Sequence, residues 1–278
     1  MKKLITLLLI PFLISGCKNK EQTPEVVSFA DYGAFLGRSG NDISNFKGYK
    51  YLSLELDEFT HTNIQRIIDR GQNIFAYLNI GSLENYRDYY DEYESITFKD
   101  YDNWPDERWI DVRNSSWQDL MVNTATRFKS EGVFGVYLDN VDVYTIAKEE
   151  GLNYSEFGSA IKAMISRINE TGLKVMINGG AEYLDDMADQ DDNVFESIWA
   201  YHQEEVFSLI TDYDLRTFGE QEKEDQEYYQ EISKMMKDKG KEVFFLEYTT
   251  DNSLKDTIKS YCDSKEYHYY ISSTVDLR

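Results

Sequence analysis

Past residue 25 the chain alternates between two hydrophobic rhythms. Short runs rich in Val, Ile, Phe and Tyr, bounded by Gly, Asn, Asp or Lys, read as buried parallel strands. They fall at 26–35, 50–59, 73–81, 133–141, 174–182, 193–201, 242–250 and 267–274. Between them, apolar residues recur at helical spacing. Within 115–132, Trp117, Leu120, Met121, Thr124 and Phe128 share a face that ends at Gly132. Within 153–172, Ile161, Met164, Ile165 and Ile168 do the same, with Ser155 as the expected N-cap and Gly172 as the stop. Eight strands alternating with helices in one domain-sized stretch predict an α/β fold, a single-domain (β/α)8 TIM barrel over 26–278. A doubly wound open sheet is the alternative architecture. No Gly-rich phosphate loop follows the first strand, so a nucleotide-binding version has no support.

The first 17 residues, MKKLITLLLIPFLISGC, follow a different pattern: two lysines, an apolar run too short to span a bilayer, and small residues before a cysteine. This resembles a bacterial lipoprotein signal, with Cys17 as the lipidated residue and 18–25 as a polar tether. The expectation is an exported protein, lipid-anchored to the cell envelope through Cys17 alone. Cys262 is the other cysteine, so no intramolecular disulfide is expected and the core must carry stability. The chain holds 51 Asp and Glu against 29 Lys and Arg, a formal net charge of −22. That balance argues against nucleic acid or an anionic membrane surface as partner and fits a cationic one. A monomer is expected. Twenty-two tyrosines suit carbohydrate, because the ring stacks on a sugar face while the hydroxyl bonds outward.

In a barrel of this kind, functional groups gather where the strands end and their loops begin. The first predicted strand carries Asp31 and Tyr32, the third Tyr77 and Asn79, and the fourth Asp139 and Asn140, followed by Asp142 and Tyr144. The fifth ends near Asn178 and Glu182, the sixth carries Glu196 and Tyr201, and the seventh Glu247. Acids collected at one end of several strands are costly unless they share a task. Without companion histidines or cysteines, two chemistries fit: a hard-cation site and glycoside hydrolysis. The stretch DNVD lacks the spacing and glycine of a calcium loop, so no metal and no cofactor are expected. Because strand side chains alternate, Asp139 points opposite Leu138 and Asn140. Asp142 lies past the strand end, where it orients a partner or serves as a turn or helix-capping residue. The long segment 82–116 is expected to wall or cover a site.

Three stretches in order, FAYLNIGSLENYRDYY (75–90), WPDERWIDVRNSSWQDLM (104–121) and GVFGVYLDNVDVY (132–144), together resemble glycoside hydrolase family 114, the endo-α-1,4-polygalactosaminidase-like barrels. The resemblance covers essentially all of the predicted domain. It implies an endo-acting, cofactor-free hydrolase of α-1,4-linked galactosamine-containing polysaccharide, a polymer of microbial exopolysaccharides and biofilms. It also implies that Asp139, in its LDN context, is the nucleophile and that Glu196, in FESIWAY, is the acid/base. Spacing alone leaves Glu196, Glu182 and Glu247 equal. Tyr77, Asn79, Asn140, Asp142, Tyr144, Asn178 and Tyr201 are then expected to line sugar subsites, with Asp31 and Tyr32 across the mouth. Glu182 and Glu247 are expected to hold substrate amines. A surface lipoprotein that binds polysaccharide without cutting it is the rival reading, as is a hydrolase of another sugar polymer.

Overall fold

The computed structural model describes residues 31–278 apart from 103 and 191. Cys17, the tether and the start of the first predicted strand lie outside the described residues. Eight parallel strands form one sheet in sequence order: β1 (Tyr32–Ala34), β2 (Tyr51–Leu54), β3 (Asn73–Asn79), β4 (Gly135–Asp139), β5 (Lys174–Asn178), β6 (Ala200–Glu204), β7 (Glu242–Tyr248) and β8 (His268–Ser272). β8 returns beside β1 and nearly closes the barrel. The predicted fold class is therefore the observed one.

Alternation along the strands builds two apolar layers. Val136 and Leu138, Val175 and Ile177, and Val243 and Phe245 face outward onto the helices. Tyr137, Met176, Phe244 and Leu246 face inward and fill the barrel with Phe75 and Tyr51. Each fully buried aliphatic or aromatic side chain contributes roughly 1.5–3 kcal/mol, so the two layers are the main source of stability. The helices obey local chemistry. His61–Ile68 starts from a reciprocal cap between Thr60 and Asn63. Ser115–Ser130 starts from Asn114, whose side chain accepts the N–H groups of Ser116 and Trp117. In Tyr154–Glu170 the cap position falls on Asn153, two residues before the expected Ser155.

Seven of the eight predicted strands hold their place, trimmed at their ends. The sixth does not. The first five residues of the predicted run 193–201 belong to a 3-10 helix, Asp192–Ser197, that precedes the sheet, and β6 begins at Ala200. The polar tail of β6, His202, Gln203 and Glu204, breaks the apolar run that marks a buried strand.

Two additions rise from the C-terminal ends of the strands. Segment 82–116 folds as a three-stranded antiparallel flap made of Ser82–Glu84, Thr97–Asp100 and Glu107–Ile110, stiffened by Tyr101 stacked on Trp109 at 4.4 Å. A hairpin of Ser208–Asp212 and Thr217–Glu220 stands after β6.

Candidate active site

The flap, the hairpin and the strand ends enclose a cleft of about 680 Å³. Its floor is made by the last inward residues of β4, β5, β6 and β7: Asp139, Asn178, Glu204 and Tyr248. Register places them together, since Asn178 pairs with His202 and Leu246 with Glu204.

Asn178 joins the two acids. Its Nδ2 donates to Asp139 Oδ1 at 2.8 Å and to Glu204 Oε1 at 2.8 Å. Two oxygens on one nitrogen lie no more than twice that length, 5.6 Å, apart. His202 sets the amide's direction: its Nδ1 lies 2.7 Å from Asn178 Oδ1, an acceptor, so the ring nitrogen donates. Burial pushes the His202 pKa down to about 3, so the ring stays neutral in that role. Asp139 also accepts the Asn140 N–H at 2.9 Å and the Tyr77 hydroxyl at 2.9 Å. Glu204 accepts the Tyr137 hydroxyl at 3.2 Å and the Tyr248 hydroxyl at 2.5 Å.

No cation touches either acid among the described residues. Burial raises both carboxyl pKa values. For Glu204 the charge of Asp139 is the next largest cause, acting in the same direction; for Asp139 the next largest, the Asn178 bond, acts the other way. Two raised carboxyls side by side favour a state in which the pair holds a proton. Further acids line the cleft. Burial raises Glu107 and Glu205 to about 7 and Asp142 to about 6.

Backbone geometry makes the crowding possible. Asn140 turns the chain just past Asp139 at φ 62, a conformation that asparagine tolerates. Gly179 has φ 65, and a Cβ there would meet Asp142 Oδ2 at 2.0 Å.

The structure sorts the predicted site residues. Asp139, Tyr77, Asn140, Asp142 and Asn178 line the cleft. Asp142 occupies the cap position of Val143–Glu149 without capping it; its side chain accepts the Gly180 N–H at 2.9 Å instead. Asn79 is buried behind Asn140 and accepts from its Nδ2 at 3.0 Å, a brace outside the cleft lining.

The remaining expectations are corrected. Glu196 is exposed on the 3-10 helix before β6, at the foot of the barrel, because the strand starts later than its apolar run suggests. Asp31 precedes β1 at the same foot, 2.7 Å from His268. Tyr32 is buried inside the barrel with its hydroxyl on Ser53, below the cleft. Tyr201 and Glu247 are the outward residues of their strands. Tyr201 donates to Gln203, and Glu247 accepts the N–H groups of Phe207 and Ser208 at the base of the hairpin. Tyr144 packs between helices and donates to Asp186 at 2.6 Å. Glu182 pairs with Lys148 on the helical layer.

Glu204, Tyr137 and Tyr248 are the residues that the sequence reading missed. Strand parity carries the signal: 200, 202 and 204 share one face, as do 137 and 139. Glu204 is the acid on the inward face where β6 ends.

Comparison with known proteins agrees with this architecture. The model of glycoside-hydrolase family GH114 matches residues 24–276. The glycoside hydrolase domain of PelA from Pseudomonas aeruginosa superposes with a TM-score of 0.73 at 16% identity, over 88% of this chain and 95% of that one. Aspergillus fumigatus Ega3, solved in complex with galactosamine, gives 0.71 at 17% identity, over 90% and 93%. At such identities the likeness is one of fold. An uncharacterized protein of Thermotoga maritima is 26% identical over 121 residues, which are 42% of this chain and 37% of that protein's length.

Proposed function

Since the chain belongs to glycoside-hydrolase family GH114, we propose that it cleaves an α-1,4-linked, galactosamine-containing polysaccharide within the chain, with Asp139 as nucleophile and Glu204 as acid/base. The Asn178 amide shared between the two carboxyl groups carries this reading. The limit of 5.6 Å on their nearest oxygens fits the spacing of about 5–5.5 Å expected for retention and falls short of the ~6.5–9.5 Å that inversion needs.

Glu204 holds the proton and gives it to the departing glycosidic oxygen while Asp139 Oδ2 attacks the anomeric carbon. The glycosyl–Asp139 ester then meets a water whose proton passes to Glu204 as the water oxygen bonds to the same carbon. Asp139 leaves as the carboxylate, stabilised by the Tyr77 hydroxyl and the Asn140 N–H. The net reaction adds one water and inverts the carbon twice.

Charge supports a cationic substrate. Eight residues lining the cleft are Asp or Glu, and Arg278 is the one cationic side chain among them. Glu107, Asp142 and Glu205 stand apart from the reacting pair; each accepts hydrogen bonds from the protein (from Ser82, the Gly180 N–H and the Ile210 N–H) and turns its carboxyl to a cleft that would take ammonium groups of a de-N-acetylated sugar. The galactosamine bound by Ega3 supports the same class of substrate. Exposed Tyr86 and Trp104, both on the cleft wall, offer faces for sugars beyond the cleaved bond. We further propose export and attachment to the cell envelope through a lipid on Cys17, on the sequence pattern of residues 1–17.

The test is hydrolysis of a galactosamine polymer followed by NMR at early times and by product mass. Internal cleavage with the α-anomer appearing first is the expected result. The β-anomer first would overturn the double displacement. Tight binding without products, across a panel of amino-sugar polymers, would leave a binding protein.

A further inference from the structure

Behind Tyr77 lies a second set of charges that the proposed reaction does not use. Glu84, at the end of the first flap strand, has a side chain 2% exposed; Arg87, three residues on, is 11% exposed. Arg87 donates to Glu84 Oε2 at 2.5 Å through Nε and to Glu84 Oε1 at 3.1 Å through Nη2. The same guanidinium reaches Glu55 at 2.8 Å and Asp57 at 2.7 Å. Three carboxylates thus share one cation, a fork geometry suited to arginine.

Tyr77 stands between this cluster and the reacting acid. Its hydroxyl lies 2.9 Å from Asp139 Oδ2 and 3.4 Å from Glu84 Oε1. One hydroxyl carries one proton, so the two carboxylates compete for it. Tyr86 gives its own hydroxyl to Glu84 Oε1 at 2.7 Å, which also lessens that oxygen's demand.

We propose that Arg87 is a positioning residue for the reaction: by pairing with Glu84 it keeps the Tyr77 proton directed at Asp139 and compensates the negative charge nearest the nucleophile on that side. The idea rests on Asp139 being the nucleophile, as proposed above, but its electrostatic content can be measured without turnover.

Distance gives the scale. Glu84 Oε1 and Asp139 Oδ2 are no more than 6.3 Å apart, the two hydrogen bonds through Tyr77 laid end to end. A full charge at that range moves a partly buried carboxyl by about one pH unit. The direction agrees with the acids around Asp139, since Glu84 is among the groups that raise it. The other titratable groups facing Asp139 are Glu204, Tyr77 and Tyr137 inside the barrel, with Glu107, Tyr101 and Asp142 from the flap and the loop after β4. Arg87 touches none of these except through Glu84 and Tyr77, which makes the effect separable.

The experiment is a carboxyl carbon NMR titration of the protein labelled at aspartate, with the Asp139 resonance assigned by its loss in Asp139→Asn. Glu84→Gln keeps the shape and leaves Arg87 its bonds to Glu55 and Asp57, so the fold is retained; a thermal melt checks it. Its Asp139 titration is expected to fall by about one unit. Arg87→Gln is expected to raise it by a similar amount, and Arg87→Lys to restore most of the difference. In the Glu84→Gln background, Arg87→Gln is expected to raise the titration by less than half as much, the remainder being the direct field of the more distant guanidinium. If Glu84→Gln leaves the Asp139 titration in place, or if the Arg87→Gln shift is undiminished without Glu84, the proposal is wrong and the cluster only braces the flap. Absence of hydrolysis on every polymer would instead count against the proposed function, and these titrations would stand.

Discussion

The two ends of the barrel both gather acids, and they treat them in opposite ways. At the foot, Asp31 lies against His268 at 2.7 Å, and Glu242 lies 3.6 Å from the same ring and 3.8 Å from Lys237. Both of these acids have a basic partner in reach, and Glu196 has Lys241 in its field. At the mouth, Asp139 and Glu204 share an amide and three tyrosine hydroxyls, with Arg87 holding a different acid. Compensation makes structure. Burial without it raises a carboxyl pKa and stores a proton where chemistry needs one.

The largest expected effect lies at the mouth. Asp139→Asn should lower kcat by at least about 10³-fold while leaving the circular dichroism unchanged. It should also raise the melting temperature at pH 7 by roughly 2–4 °C. The sign follows from linkage: a carboxyl whose pKa is raised on folding contributes stability that is lost as pH rises, so its charge at neutral pH is a cost. A variant that loses both activity and stability would contradict the contrast between the ends. Asn178→Ala comes next. Without the shared amide, kcat should fall about 10²-fold and the acid and base limbs of the pH profile should move apart, because the two carboxyls interact more strongly.

The smallest effect belongs to the foot and should spare activity. Burial pushes the His268 pKa down, but bonds to Asp31 and Glu242 more than reverse it, so the net shift is upward. Stability from this group is fully present below about pH 6.5 and is lost as pH rises through the higher folded value. Denaturant melts should show the protein more stable at pH 6 than at pH 9 from this source, and His268→Gln should flatten the difference. A change in kcat beyond about twofold for that variant would show the foot to be coupled to catalysis.

Most of the barrel is legible in the sequence because buried parallel strands are continuous apolar runs. Asp139 is legible for the same reason: it closes such a run. Glu204 is not, because β6 ends in His202, Gln203 and Glu204, so its apolar signal sits too early and the resemblance lands on Glu196 instead. The parity of β6 resolves the choice only once its start is known. Tyr201 and Glu247 fail through parity as well, being outward residues whose strand ends look polar or aromatic from either face. The flap is legible as a wall but not as a sheet, and its contribution of Glu84 and Glu107 depends on pairings between strands of three and four residues. Those pairings are set by the barrel beneath them rather than by local pattern.

Glu196 and Glu204 stand eight residues apart at opposite ends of this contrast, one exposed at the foot and one half-buried at the mouth. The decisive measurement is the initial rate of cleavage of a galactosamine polymer by the wild type, Glu196→Gln and Glu204→Gln at equal concentration. The account predicts that Glu196→Gln matches the wild type and that Glu204→Gln is slower by at least about 10²-fold. A Glu204→Gln enzyme that still cuts while Glu196→Gln does not would place the proton donor at the wrong end of the barrel and contradict it.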